Sequence, residues 1–343
     1  MNGYERIKTA LAGKPVDTTP VMLHNFMMAA REAGVSMANY RENPKVVADV
    51  FIQSIEKYNY DGILVDIDTV TLAGAVGVPV DFPESEPARS HKGNVSGLAD
   101  IKGLKKVNIE NYKYIQNWLE ATRLIKSHFG NEIFVRGNCD QAPFSLASMM
   151  RGSQEWMLDL MMEEASLINE FLDYCADISS QFIRLMAQTG CDMVSNGDSP
   201  AGPEMISPEM YEMFALPYEK RVVDEAHKNN LPYALHICGN TESILDLMLQ
   251  TGADALELDY KTDVQKAFEA CFDKVCFIGN IDPSAVLAMG NTELVEQKTK
   301  ELLDIFSKTN RFILNAGCAL PSITPEENLK KMIQVAREYT PSK

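Results

Sequence analysis

No stretch of this sequence approaches the roughly 20 consecutive apolar residues that a membrane-crossing helix needs, so no membrane partner is expected. Positive charge is scarce as well: 32 Lys and Arg stand against 48 Asp and Glu, a formal net charge of −16. With no basic stripe to neutralise phosphates along a duplex, nucleic acid is not an expected partner. Residues 1–12 mix polar and apolar types around Arg6 and Lys8 without a continuous apolar run, which does not fit a signal peptide. The seven cysteines are scattered, odd in number and mostly inside apolar segments, so no disulfide framework is indicated. Reduced thiols and a cytoplasmic location are expected. Fixed-period repeats, low-complexity tracts and linkers are also lacking, and the chain reads as one domain over 1–343.

What is present is a chain of 343 residues, 45% of them hydrophobic, enough for a sizeable core. Its 18 methionines sit mostly at apolar helix positions, such as Met149, Met157, Met161 and Met162, and read as adaptable core filler. Eight short β-like runs, at 20–23, 62–68, 133–137, 193–196, 233–238, 255–259, 275–278 and 312–316, alternate with helical patterns. The helices are expected at 44–58, 109–129, 153–186 (two helices), 208–229, 241–249, 262–271, 294–307 and 325–339. Capping signals support several starts: Asn43-Pro44, Ser207-Pro208, Asp282-Pro283 and Thr324-Pro325-Glu326-Glu327. Eight strands each followed by helix predict an α/β fold, a single (β/α)8 TIM barrel with a helical extension at the N-terminus and an insertion after strand 2. The insertion is the irregular stretch 80–104, an excursion over the barrel mouth whose His91 is expected to be solvated.

Chemistry concentrates at the strands' C-terminal ends. In Ala234-Leu235-His236-Ile237-Cys238-Gly239-Asn240, strand alternation puts His236 and Cys238 on one face. Neutral imidazole and thiolate are ligands that zinc prefers, and Cys318 in Asn315-Ala316-Gly317-Cys318 is the candidate third; three protein ligands with one position open describe a catalytic site. The alternative is a core histidine beside an inert buried cysteine. Asp66 and Asp68 share a face of strand 2, strand 3 ends Arg136-Gly137-Asn138, strand 4 ends Asn196-Gly197-Asp198, and strand 6 carries Glu257 and Asp259. Any one of these carboxylates reads equally well as a strand-end cap, but so many polar ends around one mouth point to a pocket. An inward Asp259 or Glu257 would sit beside His236 and Cys238, and would make a zinc site there formally anionic.

The chain resembles the uroporphyrinogen decarboxylase superfamily and, within it, the zinc-dependent methylcobamide:coenzyme M methyltransferases. The resemblance runs over nearly the whole length. It is carried by Lys14-Pro15-Val16-Asp17 with Thr19-Pro20-Val21, Asp61-Gly62-Ile63, Ile206-Ser207-Pro208 with Pro217-Tyr218, His236-Ile237-Cys238-Gly239-Asn240, Gly279-Asn280-Ile281-Asp282-Pro283 and Leu314-Asn315-Ala316-Gly317-Cys318. It implies zinc at His236, Cys238 and Cys318, with an acidic ligand falling on Asp259 and Glu257 as the fallback. It implies methyl transfer between a corrinoid, carried on a separate corrinoid-binding protein, and a small thiol such as coenzyme M. The alternative runs the other way, from a methoxylated or methylated donor to the corrinoid protein. A homodimer is the family-based expectation. Asp66, Asp68, Arg136, Asn138, Asn196 and Asp198 are then pocket residues, His24 a proton acceptor, and Arg136 the inward arginine for a sulfonated thiol. Asp68 matches the decarboxylase aspartate that holds pyrrole nitrogens. The decarboxylase reading, a second alternative, fits less well: its polyanionic substrate needs an arginine-rich loop, and segment 23–34 here has only Arg31.

Overall fold

The computed structural model describes residues 1–340. Eight parallel strands form one sheet: β1 (Met22–Leu23), β2 (Gly62–Val65), β3 (Phe134–Gln141), β4 (Met193–Gly197), β5 (Tyr233–Ile237), β6 (Ala255–Leu258), β7 (Cys276–Ile281) and β8 (Phe312–Ala316). Each pairs with the next in chain order, and a bridge between Val21 and Leu314 brings the last strand back to the first. The fold is a (β/α)8 TIM barrel, and 341–343, the end of the expected domain, lie outside the described residues. Among the described residues no helix is long and apolar enough to cross a membrane.

Strand alternation explains how the barrel is filled. At the N-terminal end of the barrel Met22, Phe134, Met193, Ala234, Ala255 and Ile313 form a buried apolar layer with Ile7 and Ala10 of the helix Gly3–Leu11. That helix is the expected N-terminal extension, started by a capping box between Asn2 and Glu5. It plugs the barrel, and a Cβ on Gly62 would collide with Ile7. Two residues further along β3, β4, β5, β6 and β8 the same inward face turns polar, at Arg136, Ser195, His236, Glu257 and Asn315, whereas β2 and β7 continue with Leu64 and Ile278. The larger core lies outside, between the strands and the helical ring.

The helix Pro44–Tyr58 shows how local sequence sets the ring. Asn43 accepts from Lys45 N, Pro44 opens the first turn, and Val47, Phe51, Ile55 and Tyr58 face inward at helical spacing. Asn59 ends the helix in a left-handed conformation (φ 53°). Ser207 and Asp282 cap as expected. Thr324 does not: its hydroxyl donates to Pro321 O, and the last helix, Glu326–Glu338, starts from Pro325 without a side-chain cap.

Other departures concern boundaries. β2 stops at Val65 rather than at 68, because Asp66 and Asp68 turn back onto backbone amides. β3 runs on to Gln141, through polar residues that conceal the strand pattern. The helices Phe26–Glu32, Met37–Glu42 and Pro143–Arg151 were not expected from periodicity. The insertion holds a two-stranded ribbon, Val80–Asp81 with Arg89–Ser90, where His91 is exposed and paired with Asp81 at 2.9 Å. Of the four methionines read as core filler, Met149 and Met157 pack against the core, whereas Met161 and Met162 are 75% and 81% exposed.

Candidate metal centre and cavity

β5 ends by presenting His236, and Cys238 follows one residue past it. Gly239, at φ +89°, turns the chain out immediately afterwards, a conformation that suits glycine. Cys318 arrives from β8 through Gly317, where a Cβ would lie 2.5 Å from Tyr260 N, so only glycine permits the approach. The result is a cluster in which His236 Nε2 is 3.1 Å from Cys238 Sγ and the two sulfurs are 3.9 Å apart. All three donor atoms lie within 4.8 Å of one another. Tetrahedral zinc with bonds of about 2.0–2.3 Å would set its donors roughly 3.5–3.8 Å apart, so the donor set fits. His236 Nδ1 donates to Glu257 O at 3.0 Å, which leaves Nε2 directed at the sulfurs. That is how histidine ligands are commonly oriented.

Electrostatics at the cluster favours a cation. A hydrogen bond from Cys318 holds the Cys238 thiol down to about 3, against burial and with help from His236. Burial would lower His236, yet the Cys238 sulfur outweighs it and holds the imidazole up at about 9. Cys318 is pushed up by the same sulfur pair. Without a metal the pair therefore shares one proton, and a divalent cation would displace it.

The cluster opens into a cavity of about 270 Å³ lined also by His24, Asp66, Arg136, Asn138, Asn196 and Glu257. His24 Nε2 donates to Asp66 Oδ2 at 2.6 Å, and Asn138 Nδ2 donates to Asp66 Oδ1 at 3.1 Å. Asn196 Nδ2 donates to Cys139 O at 2.6 Å, fixing the bulged end of β3. Arg136 and Glu257 form a buried pair at 2.8 Å.

Three expected site residues are placed elsewhere. Asp259 does not join the cluster: β6 ends at Leu258, so strand alternation no longer directs its side chain. Its carboxylate accepts from Gly239 N at 2.8 Å and Lys261 N at 3.1 Å. Asp68 does not share the inward face with Asp66; it caps the helix Thr71–Ala75, accepting from Val70 N and Thr71 N at 2.9 Å each. Asp198 is buried against Ser145, accepting from its N and Oγ at 2.7 Å. Glu257 is near the cluster, but on the Nδ1 side of His236 at 3.7 Å. Sequence reasoning missed Asp140, which lines the cavity at the end of β3 in a left-handed conformation (φ 57°), and Asn315, which donates to Glu257 Oε1 at 2.7 Å. Asn315 was legible as the inward neighbour of Ile313; Asp140 was not, lying past the expected end of its strand.

A family model described as Uroporphyrinogen decarboxylase (URO-D) matches residues 2–339. The methylcobamide:CoM methyltransferase MtbA of Methanosarcina mazei is 30% identical over 341 residues, 98% of this chain and 97% of that protein. A uroporphyrinogen decarboxylase of Methylococcus capsulatus is 29% identical, covering 97% of each chain. A solved structure described as a methyltransferase from Methanosarcina mazei superposes with a TM-score of 0.90 at 21% identity, covering 98% of this chain and 99% of that one, which supports the fold. The chain belongs to the uroporphyrinogen decarboxylase family and resembles its methylcobamide:CoM methyltransferase members.

Proposed function

We propose that this chain is a zinc-dependent methyltransferase that moves a methyl group between a corrinoid on a partner protein and a small thiol. The observation that carries the reading is the His236–Cys238–Cys318 cluster with its imidazole pre-oriented from behind. The relatives named for methylcobamide:CoM methyl transfer support the same reaction class, with coenzyme M as their thiol.

His236, Cys238 and Cys318 would hold the metal, which supplies one thing when bound: it lowers the pKa of a thiol in the open position and so supplies a nucleophile. With two thiolates and a neutral imidazole around it, a divalent cation would be formally neutral, since Asp259 is engaged elsewhere. The substrate sulfur then takes the methyl group from cobalt in line, the cobalt keeping the bonding electron pair. His24, held by Asp66, lines the same cavity and would accept the thiol proton. Phe26 and Met27 supply apolar wall to the cavity and would limit water around the reacting atoms.

The test is zinc-loaded protein with free methylcobalamin and a thiol, followed by the loss of methylcobalamin absorbance and the appearance of thioether. Demethylation of methoxyaromatics with reduced corrinoid protein is run in parallel. Transfer only in the second assay would replace thiol methylation by the reverse-direction reading. Release of carbon dioxide from uroporphyrinogen by zinc-free protein would replace both.

A further inference from the structure

Resting on the methyl-transfer reading, the cavity's charges narrow the substrate class. Three of the residues lining it carry or can carry positive charge, His24, Arg136 and His236, and a metal at the cluster would take up His236 as a neutral ligand. Arg136 is 1% exposed and donates through Nη2 to Glu257 Oε2 at 2.8 Å. Its Nε and Nη1 are buried and have no hydrogen-bond partner among the described residues. Glu257 is in turn fixed by Asn315 Nδ2 at 2.7 Å. Both side chains are buried and the guanidinium lies against the carboxylate, so the two opposite charges meet inside the fold and the pair adds no net charge to the cavity.

His24 is likewise answered. Its Nε2 meets Asp66 Oδ2 at 2.6 Å, while Asp66 Oδ1 accepts from Ile67 N at 2.9 Å and Asn138 Nδ2 at 3.1 Å. Burial pushes the Asp140 carboxyl well up. Phe26, Met27, Leu64, Pro87 and Ala319 supply much of the remaining wall. Beyond the rim Arg89 pairs with Glu86 and His91 with Asp81, both at 2.9 Å, and Lys92 lines a neighbouring groove rather than this cavity. A sulfonate is permanently anionic. Entering here it would lose water, find the Arg136 charge already matched by Glu257 and His24 Nε2 already on Asp66, and lie beside two carboxylates.

We infer that the cavity selects a small uncharged thiol over a sulfonated one, with the Arg136–Glu257 and His24–Asp66 pairs as the specificity determinants. The chain would then differ in acceptor from the relatives whose name specifies coenzyme M.

The experiment compares 2-mercaptoethanol with coenzyme M, which differ in a hydroxyl against a sulfonate on the same two-carbon thiol. Calorimetric binding to zinc-loaded protein is measured beside kcat/KM with methylcobalamin as donor. Preference for 2-mercaptoethanol by about tenfold or more in both is expected. Equal or tighter binding of coenzyme M overturns the inference. If neither thiol is methylated, thiol methylation falls, and the binding preference still decides selectivity. Glu257→Gln leaves the Arg136 charge unbalanced and should move coenzyme M up by about tenfold relative to 2-mercaptoethanol. An unchanged ratio in folded variant overturns the role of that pair; the wild-type comparison stands whether or not the variant folds.

Discussion

The ends of β5 and β8 and the ends of β2 and β4 all place polar, chemically capable side chains just beyond a barrel strand, yet the two groups are used in opposite ways. Past β2 and β4, one oxygen each of Asp68 and Asp198 is taken up by amides and hydroxyls at helix starts, Asp68 by the turn that opens the next helix and Asp198 by Ser145 of the helix after β3. The other oxygen of each is buried without a partner among the described residues. Past β5 and β8, Cys238 and Cys318 keep their sulfurs turned toward each other and toward His236. The difference is one of hydrogen-bonding appetite. A carboxylate at a strand end finds strong N–H donors at a nearby helix start and satisfies them. A thiol accepts weakly and is left for a softer partner.

The sharpest way to break that contrast is to remove one sulfur. Cys238→Ala should reduce bound zinc from roughly one per chain to below about a tenth, and abolish methyl transfer, while the barrel stays folded. Metal analysis after dialysis, with circular dichroism on the same sample, checks it. Zinc retained at the wild-type level would mean that the cysteines are inert core residues.

Removing a carboxylate should do the reverse. Asp198→Ala leaves Ser145 N and Oγ without their acceptor inside the fold. A loss of about 3 kcal/mol in urea unfolding is expected, with zinc content unchanged. Loss of zinc without loss of stability would move Asp198 from the scaffold to the site.

A smaller effect separates the same groups by pH. Burial raises the Asp68 carboxyl from its ordinary 3.8 up to about 6. Between those values the folded protein binds a proton that the unfolded chain has released, so this group's contribution to stability falls as pH rises from about 4 to about 6. In metal-free protein, Asp68→Asn should remove that downward slope, worth about 2 kcal/mol or less across the window. Urea midpoints of both proteins at pH 4.5 and 7 provide the comparison; parallel curves would show that Asp68 does not carry the slope.

What could be read from the sequence follows the same division. The eight-strand order and the His236, Cys238 and Cys318 set were legible because they depend on alternation and on residue types with few other uses. The family resemblance makes Asp259 the acidic ligand, and its inward direction comes from extending strand alternation one residue past the strand, where a turn, not the pleat, decides where the side chain goes. Asp68 failed for the same reason, since β2 is shorter than its apolar pattern suggests. The Arg136–Glu257 pairing joins residues 121 apart in sequence and was hidden, because each side chain alone looked available to a ligand.

The smallest expected effect tests Asp259 itself. It touches both cysteine-bearing turns: its Oδ2 accepts from Gly239 N just after Cys238, and its backbone lies against Gly317 just before Cys318. It is thus a positioning residue for the separation of the two sulfurs. Asp259→Asn retains one acceptor oxygen and replaces the other with a donor that opposes a backbone N–H. Zinc affinity, measured by competition with a chromophoric chelator, should weaken by about tenfold or less, the low end for residues that act from behind a ligand. Asp259→Ala should weaken it further, still with one zinc bound at saturation. A collapse as large as that of Cys238→Ala would make Asp259 a ligand after all, and would require the chain after Leu258 to turn inward when metal binds.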